Sequence, residues 1–214
     1  MCKKIIICLL AITTFTTLYA QQGEDPFPKF QIAASGGYAF RLGKKPASSD
    51  YYKDISRGSV LDGGLYYYFS RQSGMGIRYS EFSSFGSGNL ITGQFARSDI
   101  KIRFIGPVYQ SRLISRSEKF HFLTGLSLGY MSYRDNAVFD QGSAAIKGGT
   151  FGTMVELGSD LRIVRGLFAG LKFSLYGGSL SSITRQGQTV QLDDKQRESL
   201  SRIEGTVGLR YYPF

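Results

Sequence analysis

Beyond residue 29 the chain alternates apolar and polar positions in segment after segment, the period-two pattern of strands with two unlike faces. In Phe30 to Leu42, residues Phe30, Ile32, Ala34, Tyr38, Phe40 and Leu42 share one face and Gln31, Ser35, Gly37 and Arg41 the other. Val60 to Phe69 sets Leu61, Leu65, Tyr67 and Phe69 against Asp62, Gly64, Tyr66 and Tyr68. Met75 to Phe82 sets Met75, Ile77 and Tyr79 against Gly76, Arg78 and Ser80, and in Asp99 to Tyr109 Ile100, Ile102, Phe104 and Val108 oppose Lys101 and Arg103. The same alternation runs through Phe120 to Tyr133, Phe151 to Val164, Phe168 to Tyr176 and Ser201 to Tyr211, so the pattern predicts eight antiparallel strands.

The links between them alternate in length. Long polar stretches cover Gly43 to Ser59, Ser83 to Ser98, Arg134 to Thr150 and Gly177 to Leu200; short ones cover Ser70 to Gly74, Gln110 to Lys119 and Arg165 to Leu167. Short turns at one end and long loops at the other are the habit of membrane-spanning barrels. Side-chain parity also suggests registers. Setting Asp160 opposite Lys172 places Leu161 by Leu171 and leaves Arg165-Gly166-Leu167 as a three-residue turn, with glycine where a left-handed residue is often required. The same reasoning sets Phe69 against Met75 and Tyr66 against Arg78.

Two arrangements fit an apolar and a polar face: a soluble barrel with a greasy core, or a membrane barrel turned the other way round. Charges at mid-strand, interleaved with glycines, favour the second. Arg78, Lys101, Arg103, Glu156, Asp160, Arg162, Lys172, Glu204 and Arg210 are therefore expected to form an interior network of ion pairs, with Lys172 the partner of Asp160. Aromatic residues near strand ends fit two membrane interfaces: Phe30, Phe69, Phe120, Phe122, Tyr211 and Phe214 at the short-turn end, and Phe40, Tyr130 and Phe151 toward the long links. There is no tryptophan, and the Gly-x-Trp expected near the start of a secreted lipocalin-like carrier is missing.

The first residues change the picture by adding export. Lys3 and Lys4, the apolar run Ile5 to Phe15, and Leu18-Tyr19-Ala20 read as a secretory signal cut between Ala20 and Gln21. The run is too short, and too interrupted by Thr13, Thr14, Thr16 and Thr17, for a spanning helix of ~20 residues. Both cysteines, Cys2 and Cys8, lie within the signal, so the exported chain is expected to have no disulfide and no cysteine metal site. Residues 1–20 are thus read as signal, 21–29 as a lead-in and 30–214 as one domain. The net charge of +10 falls to about +8 without Lys3 and Lys4, and its cations are scattered, which argues against a nucleic-acid partner.

Three stretches carry a resemblance to a known family: Phe104-Ile105-Gly106-Pro107-Val108-Tyr109, Gly125-Leu126-Ser127-Leu128-Gly129-Tyr130 and the closing Gly208-Leu209-Arg210-Tyr211-Tyr212-Pro213-Phe214. With the signal, they make the chain resemble the small outer-membrane β-barrel domain of Gram-negative bacteria, of the porin and outer-membrane-protein-A-like kind. The resemblance implies an all-β, eight-stranded antiparallel up-and-down transmembrane β-barrel in the outer membrane. It also implies contact with outer-membrane lipid, and with the barrel-assembly machinery through the C-terminal strand. One departure is the parity of Phe214, which differs from Leu209 and Tyr211; the intervening Pro213 cannot donate to a ladder and marks the place for a bend or bulge.

Candidate chemistry is sparse. His121 is the only histidine, and Ser127, the next serine on its face, lies ~20 Å along the strand, so a structural His121 is expected. Glu156 and Asp160 are ~13 Å apart on one strand, beyond the ~5–9.5 Å of a carboxylate pair in glycoside hydrolysis. Asp193-Asp194 lacks enough neighbouring oxygen ligands for a divalent ion. Gly86-x-Gly88 has no third glycine and so is no nucleotide fingerprint. No catalytic residue, metal or cofactor is expected. The sequence predicts a non-catalytic envelope protein with a filled, charged interior. A lipid-A-modifying enzyme, a narrow ion pore, a secreted carrier and a loop-mediated adhesin stand as alternatives, and the external ligand is unknown.

Overall fold

A computed structural model describes residues 27–43, 50–89, 95–139, 142–185, 187–193 and 197–213. The signal cleavage pair Ala20 and Gln21, the two cysteines, Asp194 and Phe214 lie outside the described residues. The chain is almost wholly antiparallel strand: β1 (Phe30–Arg41), a one-turn helix α1 (Asp50–Ile55), β2 (Arg57–Tyr68), β3 (Ser73–Asn89), β4 (Phe95–Ile114), β5 (Phe120–Phe139), β6 (Gly142–Val164) and β7 (Leu167–Gly177). Short pieces β8 (Ser179–Leu180), β9 (Ser182–Arg185), β10 (Gln188–Gln191) and β11 (Glu198–Ser199) lead to β12 (Arg202–Tyr211).

Strands β1 to β6 each pair with the next; β7 pairs with β12, and β12 pairs with β1. Eight strands thus form an up-and-down ring in which every long strand has two neighbours. The seam between first and last strand runs from Ile32↔Tyr211 to Arg41↔Arg202. Around the middle of the ring the residues whose side chains face out are apolar and strongly exposed, as with Leu61 at 66%, Leu128 at 65% and Phe151 at 84%.

Four strands run longer than their alternation suggests. β3 has 17 residues, β4 and β5 have 20, and β6 has 23. At ~3.3 Å per residue they overshoot the ~25 Å apolar band of a spanning barrel even when tilted. Most of Ser83 to Ser98 and Arg134 to Thr150, expected as loops, is therefore strand, forming two tall hairpins at the long-link end. Small residues such as Ser84, Ala96, Ser98, Ala137 and Ala144 hold the inner face of these hairpins. Helix α1 packs against that face of β3: a Cβ on Gly86 would lie 2.6 Å from Ile55 Cγ2, and Ser84 donates to the Ile55 carbonyl at 3.1 Å.

Two expected registers move by two residues. Asp160 faces Gly170, not Lys172, and Tyr67, not Phe69, faces Met75. Gly64, not Tyr66, lies opposite Arg78. A slip of two keeps every side chain on its own face, so the expected parity survives. The cause is turn geometry. A bulge between Arg162 and Val164 absorbs one residue, and the turn shrinks to Arg165-Gly166, with Gly166 at φ 79°.

Adjacent glycines on β1 make the packing testable. A Cβ on Gly37 would overlap the Gly205 carbonyl and come within 2.7 Å of Thr206 Cα across the seam, whereas one on Gly36 would sit an ordinary 3.6 Å from the Val60 carbonyl. We expect Gly37→Ala to lower the yield of closed, heat-modifiable protein on unboiled gels. Gly36→Ala should leave the yield unchanged, its effect within about 0.5 kcal/mol.

Candidate functional site

Inside the ring, alternation aims charged side chains at one another across the lumen. Arg78 of β3 reaches Asp62 of β2 at 2.7 Å, bridges to Glu156 of β6 and donates to Ser174 of β7 at 3.1 Å. Lys172 of β7 donates to Asp62 and stands 3.9 Å from Glu156. Ser35 donates to Asp62 at 3.0 Å, and Gln110 donates to Glu156 at 2.9 Å. Beside this knot Arg202 donates to Glu204 at 2.6 Å and lies 4.2 Å from the centre of the Tyr176 ring, while Arg210 pairs with Asp160. Four cations (Arg78, Lys172, Arg202, Arg210) thus meet four carboxylates (Asp62, Glu156, Asp160, Glu204), all at most 4% exposed. Buried charge is tolerable only when paired and hydrogen-bonded, and this cluster is balanced.

Glycines make the room. A Cβ on Gly170 would strike the Arg210 guanidinium and Asp160 carboxylate, and one on Gly125 would lie 2.6 Å from Glu156 Oε1. Toward the long-link end the lumen turns apolar: Phe82, Ile100, Ile102, Phe104, Met131 and Met154 are buried, and Leu180 and Leu200 from the returning segment close over them. Tyr51 of α1 adds a cap, its hydroxyl 2.7 Å from Ser98 Oγ; burial pushes its phenol above the usual range.

The opposite end holds a cavity of about 390 Å³, lined in part by Arg71, Arg112, His121, Arg162, Phe168 and Tyr212. Arg112 is buried, with its guanidinium 3.8 Å from the Tyr68 ring centre and its Nε donating to the Arg71 carbonyl at 2.7 Å. His121 stacks at 4.5 Å on Phe168 and edges Tyr212 at 5.8 Å. Ser127, on the same face, donates instead to the Pro107 carbonyl.

No family model matches the chain, and no curated protein does. Solved structures do share its fold. Neisserial surface protein A superposes with a TM-score of 0.55 at 13% identity, over 86% of this chain and 97% of that one. The outer membrane protein OprG from Pseudomonas aeruginosa gives 0.52 at 12%, over 86% and 96%. A major outer membrane protein from Thermus thermophilus gives 0.57 at 10%, over 86% and 98%. The fold is that of the small outer-membrane β-barrels. An exterior of exposed Leu, Ile and Phe around a buried ionic lumen is stable only against hydrocarbon, so this barrel belongs in the outer membrane.

The barrel brings together Arg78, Glu156, Asp160, Lys172, Glu204 and Arg210 of the expected network, although Lys172 takes Asp62 and leaves Asp160 to Arg210. Asp62 and Arg202 belong to it as well; both are polar-face residues of their strands, Asp62 in the middle of β2 and Arg202 at the first position of β12, and charge at an inward position is the signal that marks them. Lys101 and Arg103 do not belong. They point outward from β4, Arg103 to Glu81 at 2.6 Å, because above the membrane band Ile100, Ile102 and Phe104 fill the interior. Arg162 sits at the short-turn rim and donates to the Glu118 carbonyl at 3.0 Å.

Removing one member of a buried, balanced cluster strands its partners. Arg78→Met leaves Asp62 and Glu156 sharing only Lys172, and we expect a loss of about 3–5 kcal/mol, measured as a fall in the urea midpoint of the folded barrel in detergent.

Proposed function

We propose that the protein is a non-catalytic integral barrel whose lumen is closed and whose role is exercised at the external face. The observation that carries this reading is the double seal. The ionic knot around Arg78 crosses the lumen, and the apolar plug of Phe82, Ile102, Phe104, Met131 and Met154 lies above it under Leu180, Leu200 and α1. An eight-stranded barrel has an interior about wide enough for side chains, and here both layers are packed, which speaks against ion conduction. His121 rests on aromatic rings, and its nearest serine along the face is engaged by a carbonyl, which speaks against a hydrolytic or acyl-transfer centre. The tall β3–β4 and β5–β6 hairpins give the external face its surface for structural or loop-mediated contacts.

Reconstituted in a planar bilayer, the purified protein should give no stable, discrete conductance steps; regular large steps would contradict a closed lumen. Incubated with lipid A and phospholipid, it should leave both unchanged by mass spectrometry. An acyl loss or transfer that disappears in His121→Ala would overturn the non-catalytic reading.

A further inference from the structure

Strand register sets a ladder of rows across the outside of β3, β4, β5 and β6. One row is Tyr79↔Ile105↔Tyr130↔Phe151, wholly aromatic and aliphatic. Its tyrosines point away from the apolar band: Tyr79 donates to Glu81 at 2.7 Å, and the Tyr130 hydroxyl lies over Gly149, where a Cβ would overlap it. Rings with the polar tip turned toward water mark the edge of the hydrocarbon. The next row is Glu81↔Arg103↔Ser132↔Gly149, and above it comes Ser83↔Lys101↔Arg134↔Lys147.

Three cations therefore stand directly opposite one another on three adjacent strands. Like charges in that relation repel, and none of the three has an ion-pair partner among the described residues. Of the nearby carboxylates, Glu81 is taken by Arg103, and Asp99 lies two residues above Lys101 on the same strand, opposite Asn136, leaving the patch with surplus positive charge. Lys101, Arg103, Ser132, Arg134 and Asn136 line a recess of about 210 Å³. The start of β1, the end of β12 and the short turns lie at the other end, so this row sits on the outer-leaflet side. It stands ~13 Å along the strand from the aromatic row, which after strand tilt is ~10 Å of height, at headgroup depth.

We propose that the row Lys101, Arg134 and Lys147, with Arg103 at its foot, binds the phosphate groups of an outer-leaflet lipid headgroup. The bound phosphates would supply the counter-charge that the row lacks. The inference rests on the barrel being embedded in the membrane but not on its lumen being closed, so it survives or fails separately from the conductance measurement.

The test uses the full folded barrel in neutral detergent, titrated with bis-phosphorylated lipid A, with the same lipid after dephosphorylation, and with inorganic phosphate as competitor, read by native mass spectrometry. The variants are Lys101→Gln/Arg134→Gln/Lys147→Gln and, as a control of equal charge change at the opposite end, Lys29→Gln/Arg116→Gln/Lys119→Gln. We expect wild type and control to retain the phosphorylated lipid, with at least tenfold weaker binding when either the row or the phosphates are removed. Because the row is self-repelling, its neutralised variant should melt no lower than wild type in neutral detergent, which separates lost binding from lost folding. Unchanged lipid binding by the row variant would overturn the proposal. So would a lower melting point in neutral detergent, or displacement of the lipid by millimolar inorganic phosphate, which would assign the row to a free anion.

Discussion

Closure of the backbone hydrogen-bond ring is the constraint from which the rest follows. Inside a bilayer an unpaired strand edge has no water to satisfy it, so the first strand must find the last. Here β1 meets β12 over ten residue pairs, Ile32↔Tyr211 to Arg41↔Arg202. The close approach of Gly37 to Gly205 and Thr206 belongs to that seam. Once the ring is closed, alternation leaves no freedom at membrane depth: every strand residue there points either to lipid or to a lumen too narrow for bulk water. The charges at the centre of the lumen then have to neutralise one another, and they do so as four cations, Arg78, Lys172, Arg202 and Arg210, against four carboxylates, Asp62, Glu156, Asp160 and Glu204.

The lumen is not uniform along its axis. At membrane depth the outside is apolar and the inside ionic, the reverse of a soluble protein. Above that depth the strands continue as hairpins, and the polarity returns to the soluble order. Ile100, Ile102 and Phe104 pack inward, and Lys101 and Arg103 face water or headgroups. One strand thus obeys two rules in succession, and the changeover falls near Ile105, in the row of aromatic residues on the outer face.

That changeover explains what was and was not legible in the sequence. Parity on β1, β2, β5, β6, β7 and β12 could be read directly, because each alternates one kind of residue against the other across the membrane. On β4 the odd positions Ile105, Tyr109 and Leu113 face out, while the even positions Ile100 and Ile102 higher up face in. Assigning the charged face to the lumen throughout misplaced Lys101 and Arg103. The ladder partners were missed for a different reason. Side chains pair diagonally across a sheared ring, so the strand-opposite logic that joined Lys172 to Asp160 could not see Asp62 on a strand more than a hundred residues away. The tall hairpins were hidden by Ser, Gly and Asn, which look like loop residues but here form the small inner face and wet outer face of strands above the membrane.

One parity of each membrane-level strand touches hydrocarbon and the other a closed interior. Nitroxide labels at Leu126→Cys, Leu157→Cys and Ser127→Cys, in a background without Cys2 and Cys8, read this directly as collision with dissolved oxygen and with an aqueous nickel chelate in liposomes. Strong oxygen and weak nickel collision are expected at Leu126 and Leu157, and little of either at Ser127. Strong nickel collision at Leu126 and Leu157 would place the apolar face in water and contradict this orientation.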